Sequence, residues 1–227
     1  MSSKELTTQL QNAAEVYNQN TSLRALISAI PYIGSSIDVI ITSRAQIIIQ
    51  QRLNFFLEQL KKDVRTLKES SIDRDYIESE EFFDLLIKTI EYAVKTRHRE
   101  KITIYSRVLR NSLVATFRQG NDPEEFLLVL VELSPIEIEI LKAIYDHEIS
   151  RSAETEIDGE FWGKYKGIDK ILEKYGAGFT DPTFYLKRIE RTGLIAEIVG
   201  MILGYEGGAY EITEGLMKMM KFIQAEE

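Results

Sequence analysis

Four short stretches in the last ninety-odd residues fix where helices start and stop, and they leave little freedom for anything else. Ser134-Pro135-Ile136-Glu137 has a hydroxyl at the cap position, proline in the first turn and glutamate three residues on, the pattern of a reciprocal capping box. Asp181-Pro182 opens a second helix in the same way, and Gly193 closes it with a residue free to turn left-handed. Gly176-Ala177-Gly178 ends the helix between them, whose apolar positions are Ile168, Ile171, Leu172 and Tyr175.

The spacing around these signals predicts three helices, then a hairpin, then a helix. Ile136, Ile140, Leu141, Ile144 and Tyr145 repeat at three and four residues in the first helix, and Leu186 and Ile189 mark the inner side of the third. Ser150 to Gly159 is polar and reads as a loop. Leu194–Leu203 and Ala209–Ile212 suit two strands joined through Gly204-Tyr205-Glu206-Gly207-Gly208, and Thr213 caps a last helix bearing Leu216, Met219, Met220 and Ile223. This order resembles a winged helix-turn-helix, a shape that reads DNA in many proteins and meets other proteins in some.

The residues before it read as helix after helix, without alternating polarity. Expected helices run over Ser3–Tyr17, Leu23–Ile30, a piece from Tyr32, Ser43 to about Ser70, Ser79–Lys95, Thr96–Phe117, and from the Asp122-Pro123 cap to Leu133. The fold class is therefore mainly α: a helical domain over 1–132 and a winged-helix-like α+β domain with a small hairpin over 133–227.

Charge bears on the winged unit directly. Residues 1–133 carry 17 Lys/Arg against 18 Asp/Glu, whereas residues 134–227 carry 11 against 18, a net of -7. Such a unit repels a phosphate backbone overall. The candidate nucleic-acid contacts are Thr183, Tyr185, Lys187, Arg188 and Arg191 on the third helix, with Glu190 among them and Glu206 at the hairpin tip. A second candidate is a basic stripe formed by Arg99, Arg107 and Arg110 with Thr103, set against the ordinary alternative of a solvated or salt-bridged face. Protein contact, either with a partner or with a second copy, is the expected use of the winged unit, with DNA the alternative.

Residues 23–49 are the most apolar segment, but Pro31, Gly34 and Asp38 interrupt it. The uncharged run from Arg24 to Asp38 falls short of the roughly 20 residues a spanning helix needs. A buried helical hairpin is expected, and a conditionally membrane-active element, with Arg44 a partner for Asp38, is the sharper alternative.

Little points to chemistry. There is no cysteine, so thiolate nucleophiles and zinc-thiolate sites are excluded. His98 and His147 lie in no metal-ligand spacing, and Glu80, Glu81 and Asp84 sit where a helix start favours acids. No Gly-rich loop follows a strand, and no serine occupies a nucleophile elbow. Trp162, with Phe161 and Tyr165, reads as core or a lid on the wing side, and Met217, Met219 and Met220 as core or a soft contact surface. No enzyme, cofactor, metal or small-molecule substrate is expected, and the N-terminus lacks a secretory pattern, so a cytoplasmic protein is the default.

Several stretches together carry a family resemblance: Arg99-Glu100-Lys101, Tyr105-Ser106, Leu109-Arg110-Asn111-Ser112-Leu113, Leu133-Ser134-Pro135, Ile140-Leu141-Lys142-Ala143-Ile144-Tyr145, Gly193-Leu194-Ile195 and Tyr210-Glu211-Ile212-Thr213. Over roughly residues 80–223 the chain resembles bacterial proteins of the abortive-infection alpha type. The resemblance implies a role in phage resistance and brings no catalytic residues. Ile30–Asp38 is similar instead to an N-terminal element of other bacterial proteins.

Overall fold

The computed structural model describes residues 43–153, 168–176, 181–197 and 210–225. The helices expected over 3–30, nearly all of the apolar segment, Phe161, Trp162, Tyr165 and the hairpin tip at 204–208 lie outside the described residues. The fold is mainly helical, with one two-stranded antiparallel hairpin near the C-terminus. The chain divides into two compact units, one ending at Pro123 and one spanning Glu124–Ala225. The division falls some ten residues before the expected boundary, so the helix that opens at Pro123 goes with the C-terminal unit.

In the first unit, α1 (Ser43–Val64) packs against α3 (Glu80–Lys95) and α4 (Arg99–Ser112), which also pack on each other. Phe56, Leu60 and Val64 of α1, Leu85 and Ile90 of α3, and Ile102, Tyr105 and Leu109 of α4 are buried. Ser79 caps α3 as predicted, its hydroxyl accepting the Phe82 amide at 3.2 Å.

Two expected helices are shorter than their periodicity suggests, and the segments that follow them pair with each other. The helix expected to reach Ser70 ends at Val64, and the one expected to reach Phe117 ends at Ser112. Beyond them, Ile72 and Val114 form an isolated antiparallel bridge, and the Asp73 amide donates to the Leu113 carbonyl at 2.8 Å. Two single-turn helices flank the bridge: α2 (Arg74–Ile77), capped by Asp73, and α5 (Ala115–Arg118). A short pairing between segments some forty residues apart thus overrides local helical spacing, as tertiary context often does.

In the second unit, α6 (Pro123–Glu132) and α7 (Pro135–Ala153) follow one another, then α8 (Ile168–Lys174) and α9 (Pro182–Glu190). The strands β1 (Ile195–Glu197) and β2 (Tyr210–Ile212) pair with Ile195 opposite Ile212, and α10 (Glu214–Gln224) closes the chain. α7 packs against α8, α9 and α10, while α9 also meets α8 and β1. The polar stretch read as a loop from Ser150 is still helical as far as Ala153, and the Ser150 hydroxyl bonds back to the Asp146 carbonyl at 2.8 Å. Gly176 and Gly193 end their helices at φ +67° and +75°, where a Cβ would be strained. Met219 and Met220 are buried in α10, which settles them as core, with Phe222 against Phe126 at 5.4 Å between ring centroids.

Candidate functional site

The third helix of the C-terminal unit, α9, holds the residues picked out for ligand contact. Asp181 caps it by accepting the Thr183 amide at 2.9 Å, and Pro182 fills the first turn. Ile189 is fully buried, so the opposite side of the helix faces outward. Thr183, Phe184, Lys187, Arg188 and Arg191 are exposed, and Tyr185 is half-buried.

Two of the three cations are already engaged inside the unit. Lys187 Nζ pairs with Glu190 at 3.1 Å and with Glu197 of β1, and it lies 5.6 Å from the Tyr210 ring centroid. Its ammonium is raised well above the ordinary lysine range, first by the Glu197 contact and then by Glu190. Glu190 also accepts the Glu197 amide at 3.1 Å, so this cluster ties the end of α9 to the hairpin.

Arg188 reaches the other way. Its Nε is 2.6 Å from Glu137, which is only 1% exposed, while the arginine side chain is 42% exposed. Glu137 completes the predicted capping box: its carboxylate accepts the Ser134 amide at 2.6 Å and its own amide donates to the Ser134 hydroxyl at 3.3 Å. A buried carboxylate at a helix start is stabilised by the helix dipole and by a guanidinium, and Arg188 supplies the latter. Arg191, at the C-terminal end of α9, is the cation of the three that makes no ion pair among the described residues.

What remains outermost on α9 is aromatic. Phe184 is 52% exposed, its ring 5.3 Å from Tyr185 in an edge-on arrangement and 5.8 Å from the Arg188 guanidinium carbon.

The basic stripe of the first unit does not form an exposed line. Arg107 is exposed, and Arg99 is exposed with its guanidinium 5.1 Å from the Phe55 ring. Arg110 is only 5% exposed: it donates to Thr66 at 3.0 Å and to the neighbouring Asn111. One turn earlier, the buried Ser106 hydroxyl donates to Asp63 of α1. The polar residues of α4 therefore clamp α4 to the end of α1.

A second clamp was not anticipated from the sequence. Arg118 donates to Asp73 at 2.6 Å and to the Ser112 carbonyl, and its guanidinium carbon stands 3.6 Å from the Tyr76 ring centroid. The Arg118 contact and the Tyr76 amide hold the Asp73 carboxyl below its usual range, and burial pushes the Tyr76 phenol up to about 12. Asp73 caps α2, but its ionic partner lies 45 residues on and nothing local points to it.

No group of three or more metal-ligating side chains comes together among the described residues. Glu80, Glu81 and Asp84 stand exposed in the first turns of α3, and His147 is exposed on α7. No described helix is long and apolar enough to cross a membrane.

Comparison with known proteins gives one match. Neither the curated proteins nor the solved structures contain a match to this chain. The sequence profile of the family described as Abortive infection alpha covers residues 49–226, which includes both compact units from the second turn of α1 to the end of α10. By that match over most of its length, the chain belongs to the abortive infection alpha family.

Proposed function

We propose that this chain is a non-enzymatic component of bacterial phage defence whose C-terminal unit, a winged-helix-like arrangement of α7, α8, α9, β1, β2 and α10, works by protein contact. Family membership supports the defence role. One observation carries the mode of action. The outer side of α9 keeps Phe184 half in solvent, while Lys187 and Arg188 are neutralised by Glu190, Glu197 and Glu137 of the same unit. Exposed aromatics beside arginine are the usual anchors of protein interfaces. A DNA reader needs its cations available for phosphate, and each carboxylate already paired with one reduces that availability.

The test is a phage plating assay on bacteria expressing the chain. Wild type is expected to lower plaque counts, and Phe184→Ala, accumulating to the same level, is expected to lose most of that protection. Equal protection by both would remove α9 as the working face. Duplex DNA binding at about 50 mM salt that disappears on Arg188→Ala/Arg191→Ala would overturn the protein-contact mode in favour of nucleic acid.

A further inference from the structure

Along the outer side of α9, Asp181, Phe184, Arg188 and Arg191 are spaced by three, four and three residues, which aligns them in one stripe. The stripe lies away from the buried Ile189. Its chemistry is ordered: a carboxylate at the N-terminal end, an aromatic ring in the middle, and two guanidinium groups towards the C-terminal end. Flanking it are Tyr185 on one side and Lys187 on the other.

That order is complementary to itself when reversed. Two copies of α9 laid antiparallel about a two-fold axis at Leu186 put Asp181 opposite the second copy's Arg191, and Phe184 opposite its Arg188. Tyr185 then faces the second copy's Tyr185, and Lys187 its Lys187, each lysine already paired with Glu190 and Glu197 of its own unit. Asp181 with Arg191 is an ion pair and Phe184 with Arg188 a cation beside an aromatic ring, and the symmetry makes both occur twice. Among the described residues the Asp181 carboxylate accepts only from Thr183, and Arg191 makes no ion pair, so the outer pair is open to a second chain. Within the stripe no like charges meet in this register, whereas a parallel pairing would set Asp181 against Asp181 and Arg191 against Arg191.

We infer that the partner of α9 is a second copy of this chain, joined through an antiparallel α9–α9 contact. The inference rests on the protein-contact role proposed above and narrows it to self-association. The stripe is only about 15 Å long, from ten steps of about 1.5 Å, so the contact is small and the association weak.

Sedimentation equilibrium of the full chain from about 20 µM to 1 mM tests it, a range suited to a contact of this size. The expected result is a mass that climbs from monomer towards dimer with concentration and falls back as salt rises. Arg191→Asp, which sets carboxylates against each other, should weaken dimerisation at least tenfold, and so should Phe184→Ala. Asp181→Asn keeps the cap and removes the charge, and should weaken it less. The double variant Asp181→Lys/Arg191→Asp should recover affinity, with circular dichroism confirming that each variant keeps its helices.

A wild type that stays monomeric throughout, or a dimer indifferent to Arg191→Asp and Phe184→Ala, overturns the inference, as does self-association that requires added duplex DNA. A monomer that still protects against phage, with protection lost on Phe184→Ala, would sink self-association and leave the broader protein-contact role standing.

Discussion

α4 and α9 carry similar sequence signals and end up with opposite roles. Both are helices with cations at three- and four-residue spacing. Yet α4 buries nine of its fourteen residues, among them Arg110, Ser106 and Asn111, whereas α9 buries only Ile189. In α4 the polar groups face α1 and act as clamps inside a helical core. In α9 they face outward and bond to the margins of their own unit. Charged residues at helical spacing do not reveal a binding face by themselves. What decides is which side of the helix the rest of the chain covers.

The contrast can be broken first at Arg110. Arg110→Ala removes a buried guanidinium with its bonds to Thr66 and Asn111, and should cost about 3 kcal/mol in a urea unfolding curve. An exposed cation such as Arg107, changed likewise, should move the midpoint hardly at all, within about 0.5 kcal/mol. Equal losses at the two positions would erase the distinction drawn between covered and uncovered faces.

Next comes Arg188, the cation of α9 that pairs with a buried carboxylate. Arg188→Ala leaves the Glu137 carboxylate buried without its guanidinium. The expected loss is about 2 kcal/mol, below the usual cost of breaking a buried pair because Arg188 is itself 42% exposed. Adding Glu137→Gln, which removes the charge and keeps an acceptor for the Ser134 amide, should recover about half of that loss. No recovery would mean that the carboxylate is stabilised by the helix start alone.

The Asp73–Arg118 clamp gives a smaller and pH-dependent effect. Asp73→Asn should cost about 1–2 kcal/mol at neutral pH, since a charge-assisted bond becomes a neutral one while the cap survives. The folded carboxyl titrates below the unfolded value of 3.8, so its contribution is complete above that pH and drains away as acid carries the pH below 3.8. Unfolding curves at pH 7 and pH 3 should therefore differ less for Asp73→Asn than for wild type.

The weakest effect is expected at Lys187. Its pairs are solvent-exposed, so Lys187→Ala should shift the unfolding midpoint only slightly at low salt and not at all at about 1 M, where screening removes surface attraction. A large, salt-independent shift would show that the link from α9 to the hairpin is structural after all.

Much of the C-terminal unit is legible in the sequence because its determinants are local. Ser134 and Glu137 find each other three residues apart, Asp181 caps from two residues away, and Gly193 needs only its own backbone freedom. Thr213 likewise caps α10 by accepting the Leu216 amide at 3.3 Å. The early end of α1 and the break after Ser112 are not legible in the same way. They depend on Ile72 meeting Val114, which the local helical pattern of either segment does not encode. The candidate site follows the same division: the sequence picks out Lys187, Arg188 and Arg191, but not that Glu137, 51 residues before Arg188, takes its charge.

The sequence alone therefore determined the caps at Ser134, Asp181, Gly193 and Thr213, the hairpin and the acidic balance of the C-terminal unit. Those are matters of caps, glycine φ, periodicity and charge count, all set within a few residues. Only the tertiary structure decided which cations remain available and which are consumed. Ion pairing and burial join residues distant along the chain, and their strength depends on how much water the fold has removed from each of them.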